Sequence, residues 1–263
     1  MQKKILITGA TDGIGLETAK MLASKGHQIL IHGRNPVKLA QAAEAVSQLS
    51  DLPVPSYLAD LSDLAQVEAL ASEVASDHQT LDVLLNNAGI FRTPEPVLPS
   101  GMDVRFVVNT LAPLLLARRL MPLLGQDGRI VNLSSAAQAP VDLNALQGKV
   151  QISDHFNAYA QSKLALTMWS RKMGLKDGPV IVSVNPGSML ASKMVKEGFG
   201  VAGNDLSIGA SILSRACLDE EFAAASGQYF DNDAGKFASP HADALNDATV
   251  EQVCGVIDSL LPA

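Results

Sequence analysis

The chain has 263 residues, 47% of them hydrophobic and 18% charged, a composition that supports one large buried core and excludes a disordered tract. Its 20 basic and 27 acidic side chains leave a net charge of −7, and the cations are scattered singly, which argues against nucleic acid or anionic membrane as a partner. Two cysteines, Cys217 and Cys254, lie in helix-like apolar stretches without metal or redox spacing, so buried reduced thiols are expected.

Apolar, β-branched bursts alternate with longer amphipathic segments along the chain. Residues 4–8 read as the first strand. Residues 13–25 carry Ile14, Thr18, Met21 and Leu22 at helical spacing, and Gly26 follows where a left-handed cap is wanted. A strand over 28–32, a helix over 36–49, a strand over 54–58, a helix over 64–76 and a strand over 81–86 continue the alternation. Beyond a loop rich in Pro and Gly come a helix over 102–124, a strand over 129–134, a helix over 157–174 and a strand over 180–185. Parallel neighbours need crossovers, so this order predicts an α/β fold: a Rossmann-like, doubly wound parallel sheet flanked by helices on both faces, in a single domain over 1–263.

Two stretches break the pattern, 136–156 and 188–204. The second holds Gly198, Gly200 and Gly203 among Met189, Leu190, Met194, Val195 and Phe199, and reads as a mobile lid over an apolar substrate. The N-terminus enters a strand at once, leaving no room for a signal peptide of the usual form. The apolar run 111–124 is broken by Pro113, Arg118, Arg119 and Pro122, short of the roughly 18 clean residues a spanning helix needs. A soluble, cytoplasmic protein is expected.

Three motifs carry chemistry. The first strand runs into Thr8-Gly9-Ala10-Thr11-Asp12-Gly13-Ile14-Gly15 where the first helix opens, a place for a pyrophosphate because glycines admit it and the helix N-terminus offers N–H groups and positive potential. The next strand ends at His32-Gly33-Arg34-Asn35, with no acid to repel a 2′-phosphate, space at Gly33 and a guanidinium at Arg34, which favours NADP(H) over NAD(H). Tyr159 and Lys163 share one helical face. An ammonium about 4 Å from the phenol is worth ~4 kcal/mol at an effective dielectric of ~20 and would lower its pKa by up to roughly three units.

These residues, with Asp60-Leu61, Asn86-Asn87-Ala88-Gly89, Asn109, Ser134-Ser135 and Pro186-Gly187 in the same order, resemble the short-chain dehydrogenases/reductases over nearly the whole chain. The likeness is to the retinol dehydrogenase and carbonyl reductase type. It implies a cofactor site of Gly9, Thr11, Asp12, Gly13, Ile14, Gly15, Arg34, Asp60, Leu61, Asn87, Ala88, Gly89, Tyr159, Lys163, Pro186 and Gly187, and a catalytic set of Asn109, Ser135, Tyr159 and Lys163. Asp60 and Leu61 would flank the adenine, and Pro186 and Gly187 would meet the nicotinamide. Asn109 would interrupt its helix and hold a water behind Lys163, which would also bind the nicotinamide ribose. Ser135, in preference to Ser134, would bond the substrate oxygen.

The implied reaction interconverts a ketone or aldehyde with its alcohol using NADP(H), with NAD(H) as the second choice and no metal. Alternatives are reduction of an activated C=C bond at the same site, or a non-catalytic NADP(H) sensor. The substrate would be small and apolar.

Three departures stand out. The interval from Ser135 to Tyr159 is longer than in the commonest members and would cover a helix face used for homodimers, leaving the oligomer open. Ala191 occupies the place of a carboxamide-binding Thr, with Ser192 next to it. Asp12 stands where some NADP-preferring members have a base. The five histidines, His27, His32, His78, His155 and His241, show no metal-ligand pairing, and His155 reads as a helix-start residue.

Overall fold

The computed structural model describes residues 1–174, 177–191, 200 and 202–262. Six strands, β1 (Lys4–Ile7), β2 (Gln28–Gly33), β3 (Ser56–Leu58), β4 (Val83–Asn86), β5 (Arg129–Leu133) and β6 (Val180–Asn185), run parallel in the order β3-β2-β1-β4-β5-β6. Two strands absent from the sequence reading follow. β7 (Tyr229–Asp231) lies parallel to β6, and β8 (Lys236–Ala238) pairs antiparallel with β7. Each is three residues long, too short to carry a visible period. The expected doubly wound sheet is present, eight-stranded and mostly parallel, with an antiparallel strand at one edge.

Alternation along each strand feeds two cores. Leu6, Leu30, Leu84 and Ile130 face one layer, which holds α3 (Leu64–Asp77), α4 (Val104–Leu124), α5 (Leu143–Leu146), α6 (His155–Gly174) and α8 (Asp247–Leu260). Ile5, Ile7, Ile29, Ile31, Leu85, Val131, Val182 and Val184 face the other, with α1 (Gly13–Ser24), α2 (Pro36–Ser47) and α7 (Leu206–Leu218). Each such side chain contributes about 1.5–3 kcal/mol by leaving water. Cys217 and Cys254 are buried thiols in α7 and α8.

The helix α4 is long and apolar enough to cross a membrane, but 72% of its apolar window is buried here. It starts at Val104, two residues later than the pattern suggests, because Asp103 caps it by accepting from Arg105 N. A π-turn over Val107–Leu111 interrupts it with Asn109 at the centre. The helix α6 starts at His155, two residues earlier than expected, because the Asp154 carboxylate accepts from Phe156 N and Asn157 N. Segment 136–154 lies along α6, with Ala139 N bonded to Ala160 O and Asp142 N to Gln161 Oε1.

Arg105 is fully buried and joins these helices. Its Nε donates to Asp103 Oδ1 at 2.8 Å, and its Nη1 reaches His155 Nδ1 at 2.9 Å and donates to His155 O at 3.2 Å. His155 is thus a helix-start residue with a buried partner. Because Arg105→Met strands the Asp103 carboxylate, urea unfolding should show a loss of about 3–5 kcal/mol; a loss below about 1 kcal/mol would mean the pair does not hold α6 in place.

Candidate active site

From β1 the chain builds outward to β2 and β3, then returns to β4 on the other side of β1. Crossovers that diverge at such a point leave a crevice at the carboxyl ends of the strands. A cleft of about 920 Å³ lies there, within the roughly 300–1,000 Å³ of small-molecule and cofactor sites. Every residue expected to bind the cofactor lines it, and so do Ser135, Tyr159 and Lys163. Asn109 does not; it is buried behind the wall.

Two loops close one end. Thr8 Oγ1 accepts from Asn87 N at 3.0 Å and Ala88 N at 3.1 Å, and Asn87 Nδ2 donates to the carbonyls of Thr8 at 2.8 Å and Gly9 at 3.1 Å. A Cβ on Gly15 would lie 2.4 Å from both Asn87 Nδ2 and Gly9 O, so this cradle exists only without a side chain there. Here α1 begins, capped by Asp12, whose side chain accepts from Gly13 N. First-turn N–H groups have no partner within a helix, so the cradle suits a pyrophosphate.

His32, read from sequence only as a non-ligand, underpins this loop. Its Nδ1 accepts from Gly9 N at 3.2 Å and its Nε2 faces Ala59 O at 3.0 Å, which places the proton on Nε2. Burial lowers its pKa and keeps the ring neutral.

The β2 end of the cleft carries two cations beside Asp12 and Asp60. Arg34 lines it, and so does Lys38, which the sequence reading missed. Asn35 caps α2 by accepting from Lys38 N at 3.0 Å and so fixes that residue beside the cleft. Lys38 Nζ lies 3.6 Å from Asp12 Oδ2, which offsets the acid expected to oppose a 2′-phosphate. Gly33 lines the cleft as expected, and its missing side chain also makes room for Thr11 Cγ2, which a Cβ there would meet at 2.3 Å. Asp60 bonds Ser62 through Oδ1, and Leu61 is buried in the core while still edging the cleft.

At the other end Ser134 and Ser135 separate. Ser134 Oγ is tied to Thr167 Oγ1 at 2.7 Å in the core, whereas Ser135 is partly exposed and bonds the Tyr159 phenol. Phe91 stands edge-on to Tyr159 at 5.3 Å and to Phe156 at 6.3 Å. With Ile90, Val108, Ala136, Ala137, Met189 and Leu190 they give this half an apolar lining. Met189 adopts φ 55 beside a short bridge in which Ala191 N donates to Asn204 O and Asn204 N to Met189 O, both at 2.6 Å. Residues 192–199 and 201 of the expected lid, Ser192 included, lie outside the described residues.

Lys163 is 3% exposed, donates to Leu133 O at 2.6 Å, and has its Nζ 5.7 Å from the Tyr159 ring centroid. Burial moves the pair opposite to the expectation from charge attraction alone. It raises the Tyr159 pKa against the lowering effect of Ser135, and it lowers Lys163 from 10.5 to about 7. Desolvation penalises both charged forms and dominates at this depth.

Asn109, expected at the helix interruption, is at the π-turn. Its Nδ2 donates to Ile90 O and Ser162 Oγ, each at 2.9 Å, and its Oδ1 accepts from Ile90 N at 2.8 Å. Ser162 Oγ in turn donates to Tyr159 O at 2.7 Å, so a hydrogen-bonded route joins Asn109 to the backbone of the tyrosine.

A family model described as short chain dehydrogenase matches residues 3–199, three quarters of the chain. The chain belongs to the short-chain dehydrogenase family. Mouse (Mus musculus) retinol dehydrogenase 12 is 30% identical, over 98% of this chain and 86% of its own. A short chain dehydrogenase from Shigella flexneri 2a complexed with NADP superposes with a TM-score of 0.69 at 25% identity, covering 88% of this chain and 97% of that one. The NADPH-bound carbonyl reductase from chicken fatty liver gives 0.69 at 25% identity, covering 90% and 99%. The short-chain dehydrogenase family makes this an NAD(P)-dependent oxidoreductase.

In this short-chain dehydrogenase a buried amine should cost stability. Folding lowers the Lys163 pKa from 10.5 to about 7, so the penalty is complete at and below pH 7 and fades as pH rises to 10.5. Lys163→Met should therefore be more stable than wild type at pH 7, on the order of 2–4 kcal/mol after loss of the Leu133 bond, with a gap that narrows by pH 10. Thermal unfolding across pH tests this, and a gap that widens toward alkaline pH would refute it.

Proposed function

We propose that residues 1–263 form one catalytic unit, a cytoplasmic NADP(H)-dependent reductase or dehydrogenase that interconverts a small apolar ketone or aldehyde with its alcohol. The observation that carries this is the grouping of the Ser135 hydroxyl, the Tyr159 phenol and the Lys163 amine at one end of a cleft whose other end has Arg34 and Lys38. The NADP-complexed and NADPH-bound neighbours support the same cofactor. The cradle at Gly15 and the side chains of Arg34 and Lys38 fit a dinucleotide with a 2′-phosphate.

When bound, the nicotinamide supplies or accepts the hydride. The protein's part is the proton and the charge. In reduction Tyr159 gives its phenolic proton to the substrate oxygen while Ser135 donates a hydrogen bond to the same atom; in oxidation Tyr159 takes the alcohol proton. Lys163, when protonated, favours the phenolate. Its pKa near 7 makes that help strongest in mildly acid solution. Asn109 and Ser162 hold the turn of α6 that carries Tyr159. The apolar lining at Phe91, Phe156 and Met189 supports a substrate body without charge.

A panel of alkyl and aryl aldehydes, ketones, alcohols and enones with NADPH or NADP⁺ tests the reaction. Tyr159→Phe should lose at least about 10²-fold in kcat, the scale of a general acid-base contribution, while NADPH binding persists. Activity equal to wild type in this variant would refute the catalytic role. Arg34→Ala should weaken NADPH about tenfold or more with little change for NADH, as expected for loss of a charged phosphate contact. Equal weakening of both would remove the 2′-phosphate assignment.

A further inference from the structure

The hairpin of β7 and β8 reaches back to the working parts of the cleft, although it lies beyond the family match at residues 3–199 and forms the sheet edge. Tyr229 OH donates to Ser135 O at 3.1 Å, and Gln138 Nε2 donates to the same carbonyl at 3.0 Å. At the hairpin turn, Asp233 Oδ1 accepts from Ser188 N at 2.7 Å and Oδ2 accepts from Ser188 Oγ at 2.5 Å and from Asn185 Nδ2 at 2.9 Å. Asn232 Nδ2 donates to Pro186 O at 2.9 Å.

We propose that Tyr229 and Asp233 are positioning residues, Tyr229 for the Ser135 hydroxyl and Asp233 for the Pro186–Ser188 loop at the nicotinamide end; this rests on the function proposed above. The two act on separate things. Ser135 has its carbonyl held from the hairpin side and its Oγ held by Ala137 N at 3.1 Å, so its hydroxyl is aimed from both ends of the residue. Burial and the Asp231 and Asp233 charges raise the Tyr229 pKa, which keeps it a donor at working pH. Burial raises the Asp233 pKa, but the bonds from Ser188 and Asn185 outweigh it and hold the carboxyl below its ordinary range, so it is an anion whenever the enzyme works. Asp233→Asn turns one acceptor into an NH₂ group opposite the Asn185 donor, and Tyr229→Phe removes a single oxygen.

The test uses the intact protein with two readouts that need no substrate. Tyr159 ionisation is followed by ultraviolet titration as the difference between each protein and its Tyr159→Phe counterpart, with only three tyrosines to separate. NADPH affinity is measured by fluorescence titration, and thermal melting shows that each variant is folded. Tyr229→Phe should move Tyr159 ionisation to higher pH, because the Ser135 bond that favours the phenolate loosens, and leave NADPH affinity unchanged. Asp233→Asn should weaken NADPH about three- to tenfold and leave the Tyr159 titration in place. If neither parameter moves, or both variants move both parameters alike, the hairpin is only a structural edge and the proposal fails. An active Tyr159→Phe enzyme would sink the proposed function without touching these readouts.

Discussion

The amine of Lys163 is buried with a backbone carbonyl as its bonded protein acceptor, and much of the surrounding architecture accommodates that constraint. An ammonium at this depth loses hydration that one carbonyl cannot replace, so the group is drawn toward neutrality. The same low-polarity environment pushes the neighbouring phenol toward its neutral form. At neutral pH Lys163 therefore sits near the midpoint of its own titration, beside a phenol that burial holds in its neutral form.

Holding such a pair in register takes polar groups that are themselves satisfied. The π-turn in α4 releases the Asn109 side chain from the regular ladder, and its three bonds to Ile90 and Ser162 are all within the buried wall. Ser162 passes that order to the carbonyl of Tyr159, and Arg105 fixes the start of the same helix at His155. The placement of the helix that carries Tyr159 and Lys163 is thus set by backbone capture from a neighbouring helix.

At the opposite end of the cleft the constraint is steric. At Gly15 two chain segments approach too closely for any Cβ, against Asn87 and the Gly9 carbonyl, and at Gly33 the Thr11 methyl fills the place a Cβ would take. The first permits the latch of the two loops. The second shows that a small residue at the end of β2 also serves packing, with Arg34 and Lys38 as the cations that line this end of the cleft.

The sequence by itself determined the strands β1 to β6, the helices α1 to α4 and α6 between them, and the cofactor-motif residues that the fold gathers in the cleft. Those features rest on local periodicity, the helix-closing Gly26 and motifs with fixed spacing, all written along the chain. It did not determine β7, β8, α5, α7 or α8, which fall outside the regular alternation, or the partners that Lys38, His32 and Arg105 find in segments distant in sequence. Nor could it give the sign of the Tyr159 and Lys163 shifts. Spacing along a helix brings two groups together, but only the packed structure decides how much water each one loses, and here that loss outweighs their attraction.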